Sequence, residues 1–267
     1  MIAPVSNPWV SATRIDPGAS WRLFCFPYAG GGASFYRRSN YRLPEFLDLI
    51  PVQLPGREDR LHERPIDNLA ELIEEAALSL KPYLRPPFAF FGHSMGSLIA
   101  FELCRKLRKL QWRGPECLFV SAMRGPHLPS HHAPLYNLPE SALVEELRTL
   151  GGTPGGVFED ADLMELIMPT LRADLAICDQ YEFLAERPLE VPICTFAGRD
   201  DPKAAPTMVD GWREQTLSRF SLHVMRGGHF FINTARQAVL DIIVSELSSF
   251  STTRHARYRG RSEWNSN

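Results

Sequence analysis

Six short apolar runs punctuate the chain, and between them apolar residues fall at helical spacing. The runs are WRLFCF (Trp21 to Phe26), LDLIPVQL (Leu47 to Leu54), FAFFG (Phe88 to Gly92), ECLFVSA (Glu116 to Ala122), VPICTFAG (Val191 to Gly198) and FSLHVM (Phe220 to Met225). Such continuous apolar runs read as strands buried on both faces. The intervening NLAELIEEAALSLKPYL, SLIAFELCRKLRKL and ARQAVLDIIVSELSSF carry the three-to-four-residue spacing of amphipathic helices. The alternation predicts an α/β fold, a mostly parallel sheet with helices on both faces.

One connection breaks the rhythm. From Met123 to Pro188 there are helical patterns, ESALVEELRTL and DADLMELIMPTLRADLAICDQYEFL, but no strand candidate. The length is far beyond an ordinary crossover and predicts a helical cap, or lid, inserted over one end of the sheet. GGTPGGV (Gly151 to Val157) would be its flexible joint. The expected organisation is an N-terminal extension over residues 1–20, a single domain over 21–250 carrying the lid at about 123–188, and a polar, basic, disordered tail over 251–267.

Composition narrows the classes without naming one. The 267 residues are 44% hydrophobic and 22% charged, as in ordinary globular proteins. With 29 basic against 31 acidic residues the net charge is −2, and no region before the extreme C-terminus is basic enough to suggest nucleic acid. The N-terminus has neither the basic nor the apolar region of a signal peptide. The longest apolar stretch contains His93, Ser94 and Glu102, which marks a core segment and not a membrane span. Five cysteines, odd in number and without metal-ligand spacing, read as reduced, buried thiols of a cytoplasmic protein.

The chemistry concentrates where the third run ends. GHSMG (Gly92 to Gly96) fits G-x-S-x-G between a strand and a helix, the context of a nucleophile elbow. A serine on so sharp a turn projects its hydroxyl above the sheet, and flanking side chains would clash there, so glycine is needed. The helix after Ser94 points its positive end at the same spot, where the Met95 N–H can face a developing oxyanion. The serine needs a base and the base an orienting acid, in the chain order Ser, Asp or Glu, His. His229, in MRGGHFF after the last strand, is placed for the base; His255 falls in the tail. TFAGRDDP offers Asp200 and Asp201 for the acid. The loop after the first strand, FPYAGGGASFY, would supply a second oxyanion donor from Ala29 or Gly30; its GGG lacks the lysine and spacing of a phosphate loop. His127, His131 and His132 read as a cap loop and not as metal ligands.

These segments resemble a known family. LFCFPYAGGGASFY, VQLPGREDRLHERP, FFGHSMG, LRADLAICDQY, GRDDP and GGHFF occur in the order and approximate spacing of the type II thioesterases, over roughly Trp21 to Phe250. These are stand-alone α/β-hydrolases that accompany polyketide synthases and nonribosomal peptide synthetases. The resemblance implies removal of aberrant or stalled acyl groups from the phosphopantetheine arm of an acyl or peptidyl carrier protein. It maps the nucleophile to Ser94, the base to His229 and the acid, the last residue of a G-x-x-D turn, to Asp201. The oxyanion donors map to the backbone of Ala29 and Met95. No metal or diffusible cofactor is expected, and a monomer is. Arg57, Arg60, Arg124 and Arg172 are the candidates for steering an acidic carrier protein. The same triad would also serve a carboxylesterase or lipase on small oxygen esters, or an acyltransferase.

Overall fold

The fold is taken from a computed structural model that describes residues 7–10, 15–84, 87–130, 132–152 and 155–263, and among these the side chains of all but Arg38 and 251–263. All six apolar runs form strands: β1 (Trp21–Phe26), β2 (Leu47–Pro51), β3 (Phe88–His93), β4 (Cys117–Ser121), β5 (Ile193–Gly198) and β6 (Phe220–Met225). They form one sheet in the order β2-β1-β3-β4-β5-β6, with every pairing parallel. The chain leaves β1 toward β2 on one side and β3 toward β4 on the other. The loops after β1 and β3 therefore diverge, and the crevice they leave above the strand ends is where open α/β sheets bind ligands.

Period-two alternation sorts the strand side chains onto two buried faces. Phe24, Phe26, Phe88, Phe90, Leu118 and Val120 pack beneath α1 (Leu69–Leu80) and α2 (Met95–Lys109). Leu23, Cys25, Ala89, Phe91, Phe119 and Phe196 pack under α6 (Ile232–Glu263). On the first face Phe90 meets Phe24 and Phe26 edge-on, at 5.8 and 5.4 Å between ring centroids. Such pairs contribute roughly 0.5–1.5 kcal/mol each beyond area burial. Strand β6 closes one edge of the sheet, its residues half-buried and Val224 exposed.

The lid is helical, as the missing strand pattern required. It holds α3 (Glu140–Leu150) and α4 (Ala161–Asp179). Asp160 caps α4 by accepting the Leu163 amide at 3.0 Å. Gly151 ends α3 at φ 74°, a left-handed turn that costs glycine little. Thr153 and Pro154 of the expected joint lie outside the described residues. Leu135, Leu143, Leu147, Met164, Met168 and Leu171 give the lid a small apolar cluster of its own.

Both terminal segments carry structure where they are described. The N-terminal extension is packed where it is described: Trp9 and Val10 are buried against α1 and β2-side residues, and the Trp9 carbonyl accepts the Gln53 amide at 2.9 Å. At the other end the α6 backbone continues to Glu263, through most of the segment expected to be disordered. Extending an anchored helix needs no new nucleus and adds a hydrogen bond per residue fixed. A short α5 (Pro206–Val209), begun by a proline in its first turn, had no periodic signal to announce it.

Candidate active site

Ser94 stands between β3 and α2 with φ 53° and ψ −120°, a conformation that L residues rarely adopt. Its surroundings enforce that turn. A Cβ on Gly92 would lie 2.0 Å from the Gly96 carbonyl oxygen, and one on Gly96 would lie 2.2 Å from the Phe26 carbonyl oxygen. The Ser94 amide donates to the Ser121 carbonyl at 2.7 Å, which ties the elbow to β4. Beneath it the buried Ser97 hydroxyl lies 2.8 Å from the Gly92 carbonyl and accepts the Ser121 amide at 3.1 Å. The backbone strain is thus overdetermined by the strand ends around it.

The loops after β5 and β6 bring the partners. His229 Nε2 is 3.0 Å from Ser94 Oγ, and His229 Nδ1 is 2.9 Å from Asp201 Oδ2. The other carboxylate oxygen of Asp201 accepts the Lys203 amide at 2.8 Å and the Ala204 amide at 3.1 Å. Asp201 is buried whereas Asp200 is exposed, so the hydroxyl–imidazole–carboxylate chain runs through Asp201. The two loops touch at Gly198, where a Cβ would sit 2.4 Å from the Gly228 carbonyl oxygen.

His93 has no exposed surface, and its Nδ1 lies 2.8 Å from Ser121 Oγ. Its ring centroid is 5.7 Å from that of His229. Burial, with the charge of His229 adding to it, pushes His93 well below the ordinary histidine range, so this second imidazole stays neutral beside the first.

Ser94, His229 and Ala29 open on one cavity of about 430 Å³ between the sheet and the lid. Leu147, Leu163, Ile167 and Leu171 give it an apolar lid wall. Met95 follows Ser94 as the first residue of α2 and is fully buried, with no part in that lining. Such a chamber suits an alkyl or acyl chain whose polar end reaches the serine.

The arginines part company. Arg57 and Arg60 are buried and internally paired, which removes them from the docking candidates. Arg60 grips Glu63 through Nε and Nη2 at 2.8 and 2.6 Å and stacks over the Trp9 ring at 5.0 Å. Arg57 pairs with Asp174 of α4. Arg124 lines the chamber and is half-buried, and burial lowers its pKa. Arg172 donates to the Tyr136 carbonyl at 2.7 Å. His127 is held by Gln215 at 3.0 Å within the cap loop, His132 is exposed at the chamber wall, and His131 lies outside the described residues. His255 falls in the stretch of α6 whose side chains are not described. Among the described residues Cys194, His223 and Glu246 bring ligand-type atoms within 4.8 Å of one another, but none of them lines the chamber. Asp174 and Gln53 carry contacts that the sequence reading gave no role, although both sit in segments singled out for their resemblance.

A parallel sheet, a strained serine after β3 and an acid and histidine from the later strand ends define a serine hydrolase of the α/β-hydrolase fold. The thioesterase domain family matches residues 21–247, and the chain belongs to that family. It is 38% identical over 241 residues to the gramicidin S biosynthesis protein GrsT of Aneurinibacillus migulanus, covering 90% of this chain and 94% of that one. The structure of RedJ, a thioesterase from the prodiginine biosynthetic pathway in Streptomyces coelicolor, superposes with a TM-score of 0.79 at 38% identity, covering 90% of this chain and 97% of RedJ. The type II thioesterase BorB from the borrelidin biosynthetic cluster gives 0.80 at 36% identity, over 88% and 96% of the two chains.

Proposed function

We propose that this thioesterase hydrolyses acyl groups from the phosphopantetheine arm of a carrier protein, clearing aberrant or stalled chains from a polyketide or nonribosomal peptide assembly line. The observation that carries the reading is the Asp201–His229–Ser94 chain at the floor of an apolar, lid-covered chamber. Relatives that serve such pathways support it.

The mechanism is acyl transfer in two steps. Ser94 Oγ attacks the thioester carbonyl while His229 Nε2 takes its proton; Asp201 holds the imidazole tautomer and stabilises the imidazolium. The tetrahedral oxyanion is met by the Ala29 and Met95 amides. Gly30 is not the donor, because its own N–H is engaged by Asp174 at 2.7 Å. His229 returns the proton to the departing pantetheine thiol, and a water activated by the same nitrogen then releases the acid. No metal or diffusible cofactor is needed. Of the four candidate arginines, Arg124 at the chamber and Arg172 on the lid remain to meet an acidic carrier protein. Charge reversal at either should raise KM for carrier-bound substrate only; an equal effect on a small thioester would remove them from the docking surface.

The decisive experiment is release of free acid from acetyl- and longer acyl-carrier proteins by wild type and by Ser94→Ala. Turnover lost in the variant supports the reading. A wild type that left every acyl-carrier protein intact while cleaving matched oxygen esters would overturn it, and acyl transfer to an alcohol or amine would make the protein an acyltransferase.

A further inference from the structure

The loop that carries Ala29 closes on itself through the Gly31 amide, which donates to the Tyr28 carbonyl at 2.8 Å, and is braced by four side chains from elsewhere in the chain. Asp174 Oδ2, from lid helix α4, accepts the Gly30 amide at 2.7 Å. Arg57 Nη1 donates to the Gly31 carbonyl at 3.0 Å. Gln53 Oε1 accepts the Ala33 amide at 3.2 Å, and both carboxylate oxygens of Glu58 lie within reach of the Ser34 amide, at 3.1 and 3.2 Å. The braces are themselves joined. Arg57 makes a two-pronged pair with Asp174 at 2.7 and 2.8 Å, and its own carbonyl accepts the Gln53 amide group at 2.7 Å. The absence of a side chain at Gly32 lets the Glu58 carboxylate approach: a Cβ there would meet its Oε1 at 2.2 Å.

The cost of this arrangement points to its use. The Arg57 and Asp174 side chains are 8% and 1% exposed, and an ion pair buried so deeply is at best weakly stabilising. It is, however, rigid and directional, as a planar guanidinium facing a carboxylate must be. Residues 117 apart in sequence are thus spent on fixing one glycine-rich loop, in which Gly30 sits at φ 74° and would otherwise be free to move.

We propose that Asp174 and Arg57, seconded by Gln53 and Glu58, are positioning residues that aim the Ala29 N–H at the oxyanion, so that oxyanion stabilisation requires lid helix α4 to be seated. The inference rests on the reaction proposed above. When α4 is in place its carboxylate fixes Gly30 and orders the loop. When α4 lifts, Gly30 loses its acceptor and Arg57 its counter-charge, and the donor is no longer aimed. Hydrolysis is then confined to the covered chamber.

The test compares Asp174→Asn and Arg57→Lys with wild type, reading kcat and KM on an acyl-pantetheine thioester and inhibition by an alkyl boronic acid. In the inhibitor complex Ser94 Oγ bonds to boron, its proton passes to His229, and one boronate oxygen takes the oxyanion's place. A displaced donor should lower kcat about 10- to 100-fold and weaken boronate inhibition in parallel, with KM within about threefold. Glu186→Gln serves as the control: it weakens the pair between Arg105 and Glu186, which anchors the far end of the cap, and should shift Tm without moving kcat or boronate affinity. Variants that kept wild-type kcat and boronate affinity and changed only Tm would overturn the proposal, as would failure of both variants to fold, since the pair would then be a folding requirement. A wild type inert toward both thioester and boronate would instead overturn the reaction on which the inference rests.

Discussion

Asp201 presents one carboxylate oxygen to His229 Nδ1 at 2.9 Å and spends the other on the Lys203 and Ala204 amides. The acid is therefore oriented by its own turn before it orients the imidazole. Its neighbour Asp200 is exposed and contributes its amide, not its side chain, by donating to the Gly227 carbonyl at 3.0 Å. Asp201→Asn should lower kcat by about 10³- to 10⁴-fold through the wrong imidazole tautomer, while Asp200→Asn stays within about threefold of wild type. Steady-state thioester hydrolysis by the two variants decides it, and comparable losses in both would reject the assignment.

The elbow makes a stability prediction. A methyl group on Gly92 has nowhere to go, being 2.0 Å from the Gly96 carbonyl oxygen, with backbone and not a flexible side chain in the way. Gly92→Ala should cost at least about 2 kcal/mol in urea unfolding, by forcing β3 and α2 apart. A stability within about 0.5 kcal/mol of wild type would show that the turn relaxes easily.

His93 predicts a pH dependence. The native state refuses a proton that the unfolded chain accepts near its ordinary value of 6.5. Stability is therefore full above that value and falls as the pH drops below it toward the depressed native value, by at most about 1.4 kcal/mol per pH unit for this group. His93→Asn, which can retain a bond to Ser121 Oγ, should flatten the fall seen by urea unfolding between pH 6.5 and about pH 4.5. Identical slopes in the two proteins would assign the acid sensitivity to other groups.

The chamber wall predicts selectivity. Ile167 faces the same cavity as Ser94 but takes no part in the hydrogen-bonded site. Ile167→Trp should reduce kcat/KM for a long acyl thioester at least about tenfold and leave acetyl hydrolysis within about threefold. A uniform loss across chain lengths would mean that the chain does not run along α4.

Much of this was legible in the sequence because the physics involved is local. Buried parallel strands are apolar end to end, so Trp21–Phe26 and Phe220–Met225 match their runs residue for residue. Ser94 sits where strand, glycine and helix adjoin, and chain order selected His229. The arginines were harder, because nothing near Arg57 or Arg60 in the chain says that they are covered. Arg57 is neutralised by a carboxylate 117 positions away, and Arg60 is roofed by Trp9. The resemblance identified Asp201, but the exposure of Asp200 appears only once the loop after β5 is folded. Short elements such as α5 carry too few residues for a period to register.

The lid keeps its apolar residues largely to itself, in a cluster separate from the two that cover the sheet. That separation makes the protein modular. The shape of the acyl chamber can be rewritten at Leu163, Ile167 or Leu147 without disturbing the strands that hold Ser94, Asp201 and His229. One catalytic chassis can therefore be fitted to different acyl groups by exchanging the contents of two helices, provided that the contact of Asp174 with the loop below is kept.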